Sequence, residues 1–191
     1  TTMVGGNCGS SPLPMSTFMA DTEAMGIGPN LALLVGHNTV RQEVIGTENR
    51  LATEAELKAM QALVQTAMDD GAFGMSTGLK YIPGAYSNTD EVVALASTVS
   101  KNGGFYATHM REEGIGLLES LDEAIDIGRQ ANLPVQISHH KAVGKSMWGN
   151  SVKTLERIEQ ARSERIKVTA DQYPYTATST TLTIVFPAWS L

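Results

Sequence analysis

The chain carries one cysteine and four histidines, and three of these five side chains stand where strands should end. Cys8 closes the run Thr-Thr-Met-Val-Gly-Gly-Asn-Cys-Gly, His109 follows Gly-Gly-Phe-Tyr-Ala-Thr, and His139 follows Leu-Pro-Val-Gln-Ile-Ser. In a β/α barrel the carboxyl ends of the strands converge on one pocket, and catalytic groups gather there. A thiolate and two imidazoles converging in this way are good ligands for zinc.

Each donor also has a plainer reading. A lone cysteine is often a small buried hydrophobe, but Gly6 and Gly9 beside Cys8 let the backbone approach a bound group closely. His109 has Glu112 and Glu113 nearby, either of which could orient its ring, as metal-bound histidines usually require. In His139-His140-Lys141, neighbouring strand residues point to opposite faces, so only one of the two histidines easily looks into the pocket. Two charged or polar side chains at the end of so apolar a strand favour a functional reading. His37, in Gly-His-Asn-Thr-Val-Arg, fits a structural hydrogen-bonding role better than ligation, and His140 takes no role. Tyr81, Tyr173 and Tyr175 also follow strands. Their phenols could donate to a substrate carbonyl or carboxylate, or pack against Pro83 and Pro174.

The elements that must position these groups alternate along the chain. Strand-like runs fall at 1–8 and 31–35, both read as buried, and at 71–76, 105–109, 135–138 and 167–171. The stretch from Cys8 to about Asn30, rich in Ser, Pro and Met, reads as a loop. Thr53-Glu54-Ala55-Glu56 has capping-box spacing, and Leu57, Met60, Leu63, Val64, Ala67 and Met68 recur on one helical face. Further helices are expected from Thr89 to Gly103, across Leu117–Gly128 and across Val152–Ala161, with Gly, Asn and Pro as stop signals. Strands alternating with helices imply βα units on a parallel sheet, and right-handed crossovers leave a doubly wound sheet or a barrel. No Gly-x-Gly-x-x-Gly follows the first strand. Polar groups at successive strand ends favour the barrel, although six strands cannot close an eight-stranded one.

Composition narrows the remaining choices. With 191 residues and 42% apolar content the chain suits a single domain with a full core. A formal charge of −6 without a basic cluster argues against nucleic acid or an anionic membrane as partner. One cysteine excludes an internal disulfide and fits a reducing, cytoplasmic setting. No apolar run is long enough to span a bilayer and no leader is evident. The ends, Thr1 in a strand-like run and Leu191 in an apolar stretch, read as cut from something larger.

Six motifs occur in order: Gly-Gly-Asn-Cys-Gly, Leu-Val-Gly-His-Asn-Thr-Val-Arg, Gly-Met-Ser-Thr-Gly-Leu-Lys-Tyr-Ile-Pro-Gly, Tyr-Ala-Thr-His-Met-Arg-Glu-Glu, Gln-Ile-Ser-His-His-Lys and Asp-Gln-Tyr-Pro-Tyr. As a set they resemble the N-acyl-D-amino-acid deacylases (D-aminoacylases) of the amidohydrolase superfamily, over nearly the whole chain and least between Cys8 and Asn30. The resemblance implies a TIM-like barrel hydrolysing the amide bond of N-acyl-D-amino acids. It also implies one tightly held zinc on Cys8, His109 and His139, and substrate contacts from Tyr81, Lys141, Tyr173 and Ser179. Tyr173 and Lys141 are the expected catalytic pair. Relatives in this resemblance carry a His-x-His pair on an earlier strand and an aspartate ending the last barrel strand; neither occurs here, and Asp171 is not given that role. The expectation is therefore a partial barrel, equivalents of strands two to seven without the flanking β-sandwich. A second, weaker metal would need residues outside the chain, and the chain alone should be a poor catalyst. Its open sheet edges invite self-association. Two alternatives are a dihydroorotase- or hydantoinase-like amidohydrolase and a non-catalytic metal- or ligand-binding α/β domain. The former usually bridges two metals with a carboxylated lysine, which the cysteine ligand argues against.

Overall fold

The computed structural model describes residues 1–186. Its six strands are β1 (Thr2–Gly5), β2 (Asn30–Gly36), β3 (Gly74–Gly78), β4 (Phe105–His109), β5 (Val135–Ile137) and β6 (Val168–Ala170). They form one sheet in strict sequential order, β1-β2-β3-β4-β5-β6, and every pairing is parallel. The sheet curls into a half-barrel, the partial TIM-like architecture expected from the alternating pattern. Among the described residues no helix is long and apolar enough to cross a membrane.

The helices are α1 (Met15–Met25), α2 (His37–Val44), α3 (Glu54–Asp69), α4 (Thr89–Lys101), α5 (Leu117–Ala131) and α6 (Ser151–Ser163). Local chemistry fixes their ends. The capping box at α3 is present: the Thr53 hydroxyl accepts from the Glu56 N–H at 3.3 Å, while the Glu56 carboxylate accepts from the Thr53 N–H at 2.8 Å. The Asn88 side chain caps α4 by accepting from the Glu91 N–H at 3.0 Å. Asn132 ends α5 in the left-handed conformation that asparagine tolerates.

The core lies between the sheet and the helices. Leu33 and Val35 from β2, Met75 from β3 and Tyr106 from β4 pack against Met60, Val64, Leu95, Val99, Leu121 and Ile127. Burial raises the pKa of Tyr106 to about 12; its hydroxyl meets Thr77 Oγ1 at 2.8 Å, so it is not buried unpaired. Period-2 alternation then aims the next residue, Ala107, and with it His109 at the opposite, concave face.

Three features differ from the sequence expectation. Residues 15–25 form a helix, not a loop, with Met15 fully buried and Thr22 nearly so. Its apolar stripe is diluted by Ser, Thr and Asp, which hides the helical period. The segment after β2 turns directly into α2, where polar residues are buried by pairing and not by apolarity. His37 Nε2 lies 2.8 Å from Glu91 Oε1, and Arg41 Nη1 donates to Glu91 Oε2. Finally, β1 is an exposed edge strand that ends at Gly5, and Cys8 lies three residues beyond it in a turn.

Candidate metal centre

Strand register brings the donors level. His109 ends β4 and is the parallel partner of Gly78 at the end of β3. His139 lies two residues past β5, and its backbone N–H donates to Asp171 Oδ1 at 2.6 Å, just beyond β6. Asp171 also accepts from Gln136 Nε2 at 2.6 Å, which ties β5 to the segment after β6. The Cys8 turn folds back over the strand ends: a Cβ added at Gly78 would stand 2.2 Å from the Cys8 carbonyl oxygen. Only glycine allows that approach. The hydroxyl of Ser76 accepts from the Gly9 N–H at 3.0 Å and donates to the Gly6 carbonyl, so the turn is pinned on both sides of Cys8.

The result is a cluster in which one ligand atom from each of Cys8, His109 and His139 lies within 4.8 Å of the others. Cys8 Sγ is 3.4 Å from His139 Nε2, and the rings of His109 and His139 meet edge to face at 4.4 Å. Cys8 and His139 both have positive φ, 56° and 40°. Such conformations are costly for residues with a Cβ and tend to be retained where geometry serves a site.

Glu113 organises the surroundings. Its Oε1 lies 3.2 Å from His139 Nδ1 and 2.5 Å from Lys141 Nζ, and its Oε2 lies 3.8 Å from His109 Nε2. Burial works against charge on Glu113, but the hydrogen bonds with His139 and Lys141 prevail and hold its pKa below the ordinary carboxylate value. Burial likewise opposes charge on His139, yet Cys8 and Glu113 outweigh it and raise its pKa to about 9. For His109 burial prevails, and the pKa falls to about 4, so the ring is neutral near pH 7. Glu112 serves elsewhere, accepting from Lys80 Nζ at 2.6 Å and from the Gly114 N–H at 2.8 Å.

The residues present fit zinc on the structure's own terms. Sulfur and nitrogen donors suit that ion. His109 Nδ1 is buried with no hydrogen-bond partner. The other nitrogen of His139 faces a carboxylate, as metal-bound histidines require.

A cavity of about 550 Å³ opens over the cluster, and the three donors form part of its wall. Tyr81, Lys141, Tyr173 and Ser179 line the same cavity. Tyr81 stands edge-on to His109 with ring centroids 4.7 Å apart, and its hydroxyl pairs with Thr180 Oγ1 at 3.1 Å. Burial raises the Tyr81 pKa, with Cys8 and Glu113 adding to it against the Thr180 hydrogen bond, so the phenol keeps its proton. Lys141 Nζ lies 5.5 Å from the centre of the Tyr173 ring. Tyr175 packs beside Tyr173 at 6.5 Å. His37 and His140 stay outside: His37 is held by Glu91, and His140 Nε2 meets Thr154 Oγ1 at 2.8 Å. Sequence reasoning does not find Asp171, Ser76 or Asn38 as supports, because all three act on backbone groups and leave no donor pattern to read.

No family model matches the chain. Individual relatives do. A D-aminoacylase of Alcaligenes xylosoxydans xylosoxydans is 40% identical over 95% of this chain and 42% of its own length. The solved N-acyl-D-glutamate deacylase of Bordetella bronchiseptica, complexed with zinc and a phosphonate inhibitor that mimics the tetrahedral intermediate, superposes with a TM-score of 0.87. It is 34% identical, over 92% of this chain and 42% of that one. A solved D-aminoacylase with a binuclear metal centre gives a TM-score of 0.86 at 38% identity, over the same shares of the two chains. The chain thus spans about 42% of the length of these relatives. Over 95% of its own length, the chain matches the D-aminoacylase / N-acyl-D-amino-acid deacylase family of amidohydrolases at up to 40% identity.

Proposed function

We propose that this chain supplies the metal-binding and substrate-facing side of a zinc-dependent hydrolase. The enzyme would cleave N-acyl-D-amino acids to a carboxylate and a free D-amino acid. The observation that carries the proposal is the convergence of Cys8, His109 and His139 on the floor of one cavity. Three protein ligands are the number that leaves a catalytic zinc one open position. Zinc held there supplies an acidified water and a Lewis acid for the amide carbonyl.

The chain's own groups then divide the substrate between them. Tyr81, protonated and edge-on to His109, donates a hydrogen bond to the carbonyl oxygen as negative charge develops there. Lys141 and Tyr173, adjacent on the cavity wall, grip the free carboxylate with help from Ser179 and fix which enantiomer fits. Glu113 holds both Lys141 and His139, so the two ends of the substrate are read by groups tied to one carboxylate. The site is proposed as mononuclear in this chain. Cys8, His109 and His139 are the one cluster of three or more donors among the described residues.

The test is zinc per chain by elemental analysis, for the wild type and Cys8→Ala, with release of free D-amino acid from an N-acyl-D-amino acid assayed alongside. About one zinc in the wild type, lost in the variant, together with slow but D-selective amide cleavage, is the expected result. A folded wild type that takes up no zinc would overturn the proposal. Zinc uptake without cleavage would leave a metal-binding domain and overturn the catalytic part.

A further inference from the structure

We propose that Asn38 is a positioning residue for this site: its buried amide fixes the turn that carries Tyr81 over the metal cluster. The inference rests on the reading of Tyr81 as a substrate-facing phenol.

Asn38 is the second residue of α2, which begins where β2 ends, and its side chain is almost wholly buried. The amide uses both of its N–H groups and its carbonyl on one short turn. Nδ2 donates to the Gly78 and Tyr81 carbonyls, each at 3.1 Å, and Oδ1 accepts from the Gly78 N–H at 3.1 Å. The turn is closed by the Tyr81 N–H donating to Gly78 O at 3.0 Å. One side chain therefore grips both ends of the segment that aims Tyr81.

The same amide abuts the Cys8 turn. A Cβ added at Gly9 would come within 2.0 Å of Asn38 Oδ1, and the neighbouring Thr39 N–H donates to Gly9 O at 3.1 Å. The start of α2 is thus a common anchor for the turn after Cys8 and the turn bearing Tyr81. It sets the distance between metal cluster and phenol without touching substrate.

No other side chain of this size matches the pattern. Two donors and an acceptor in one plane define a primary amide. Aspartate would set a carboxylate against two carbonyl oxygens, and leucine would strip the Gly78 N–H of its buried acceptor and leave the two carbonyls only their bonds from the Tyr81 and Ala85 N–H groups. Beyond the turn, the Tyr81 hydroxyl is tied to Thr180, in the segment after β6.

The experiment labels the protein's five tyrosines with 3-fluorotyrosine and records ¹⁹F spectra of zinc-loaded wild type, Asn38→Ala and Asn38→Asp. Tyr81→Phe assigns the Tyr81 resonance, and the buried Tyr106 serves as the internal measure of an intact fold. In both Asn38 variants the Tyr81 resonance should shift toward that of the free amino acid and broaden, while Tyr106 and the zinc content stay put. Cleavage efficiency should fall by about 10²-fold, the usual cost of misplacing a reacting partner by about 1 Å. The double variant with Tyr81→Phe should lose little more than Tyr81→Phe alone.

An unmoved Tyr81 resonance in either folded variant would overturn the proposal. So would loss of the Tyr106 resonance in both, which would make Asn38 a residue of the general fold. A wild type that cleaves nothing would sink the catalytic reading instead, while the Tyr81 resonance still reports whether Asn38 holds the turn.

Discussion

At the scale of single residues the site reads as three donors and one organiser. Cys8, His109 and His139 are visible in sequence because cysteine and histidine are rare here and each lies at a strand end or within three residues of one. Sequence alone does not separate Glu112 from Glu113 as the partner of an imidazole, since both follow His109 in one turn. The fold separates them: Glu112 turns to Lys80 and Glu113 to His139 and Lys141. Replacing Glu113 by glutamine keeps the shape and removes the charge facing His139. Zinc affinity, measured by competition with a chelator, should fall by about 10–100-fold, the usual cost of removing such a partner. Unchanged affinity would mean that Glu113 serves Lys141 alone. Asn38 and Asp171 stay invisible in sequence for a physical reason: they bond to main-chain groups whose positions exist only once the strands are in register.

At the scale of elements, the strands and the four longer helices were legible because apolar periodicity or capping chemistry marks them. The helices α1 and α2 escape that reading because neither shows an apolar face of the usual width. In α2 burial is achieved by charge pairing, with Glu91 from α4 facing His37 and Arg41. Burial disfavours the ionised Glu91, but its bonds to His37 and Arg41 prevail, and its pKa lies below the ordinary carboxylate value. A group whose pKa is depressed by folding contributes stability above its unfolded pKa and loses it as pH falls through the folded one. Glu91→Gln should therefore cost about 3–5 kcal/mol near neutral pH, where it leaves Arg41 buried and uncompensated. In urea unfolding, the gap between variant and wild type should begin to close below about pH 4.3, the unfolded Glu value. A gap that stays constant down to acid unfolding would show that ionisation of Glu91 is not what holds α2 to α4.

At the scale of the whole molecule, the barrel class follows from alternating elements and polar strand ends, while the exposure of β1 does not. A strand's neighbours are set by tertiary pairing, and the run Thr-Thr-Met-Val-Gly-Gly reads the same with a partner on one side or on two. The sheet order has a further consequence. Because each strand pairs only with its neighbour in sequence, every pairing is closed across one crossover, of one helix or, between β2 and β3, of two, and the contact order is low for a parallel sheet. Closing one unit requires no loop longer than itself, so the chain can be built outward from any pair already in place, much as a repeat array propagates. Stability should then be graded rather than uniform. Amide hydrogen exchange should be slowest in β3 and β4, whose residues are buried nearly throughout, and fastest in the outer strands β1 and β6. Equal protection across all the strands would show a single cooperative unit. With graded protection, the Cys8 turn hangs from the strand that opens first, while His109 ends one that opens last, so metal binding would clasp the loosest part of the sheet to its firmest.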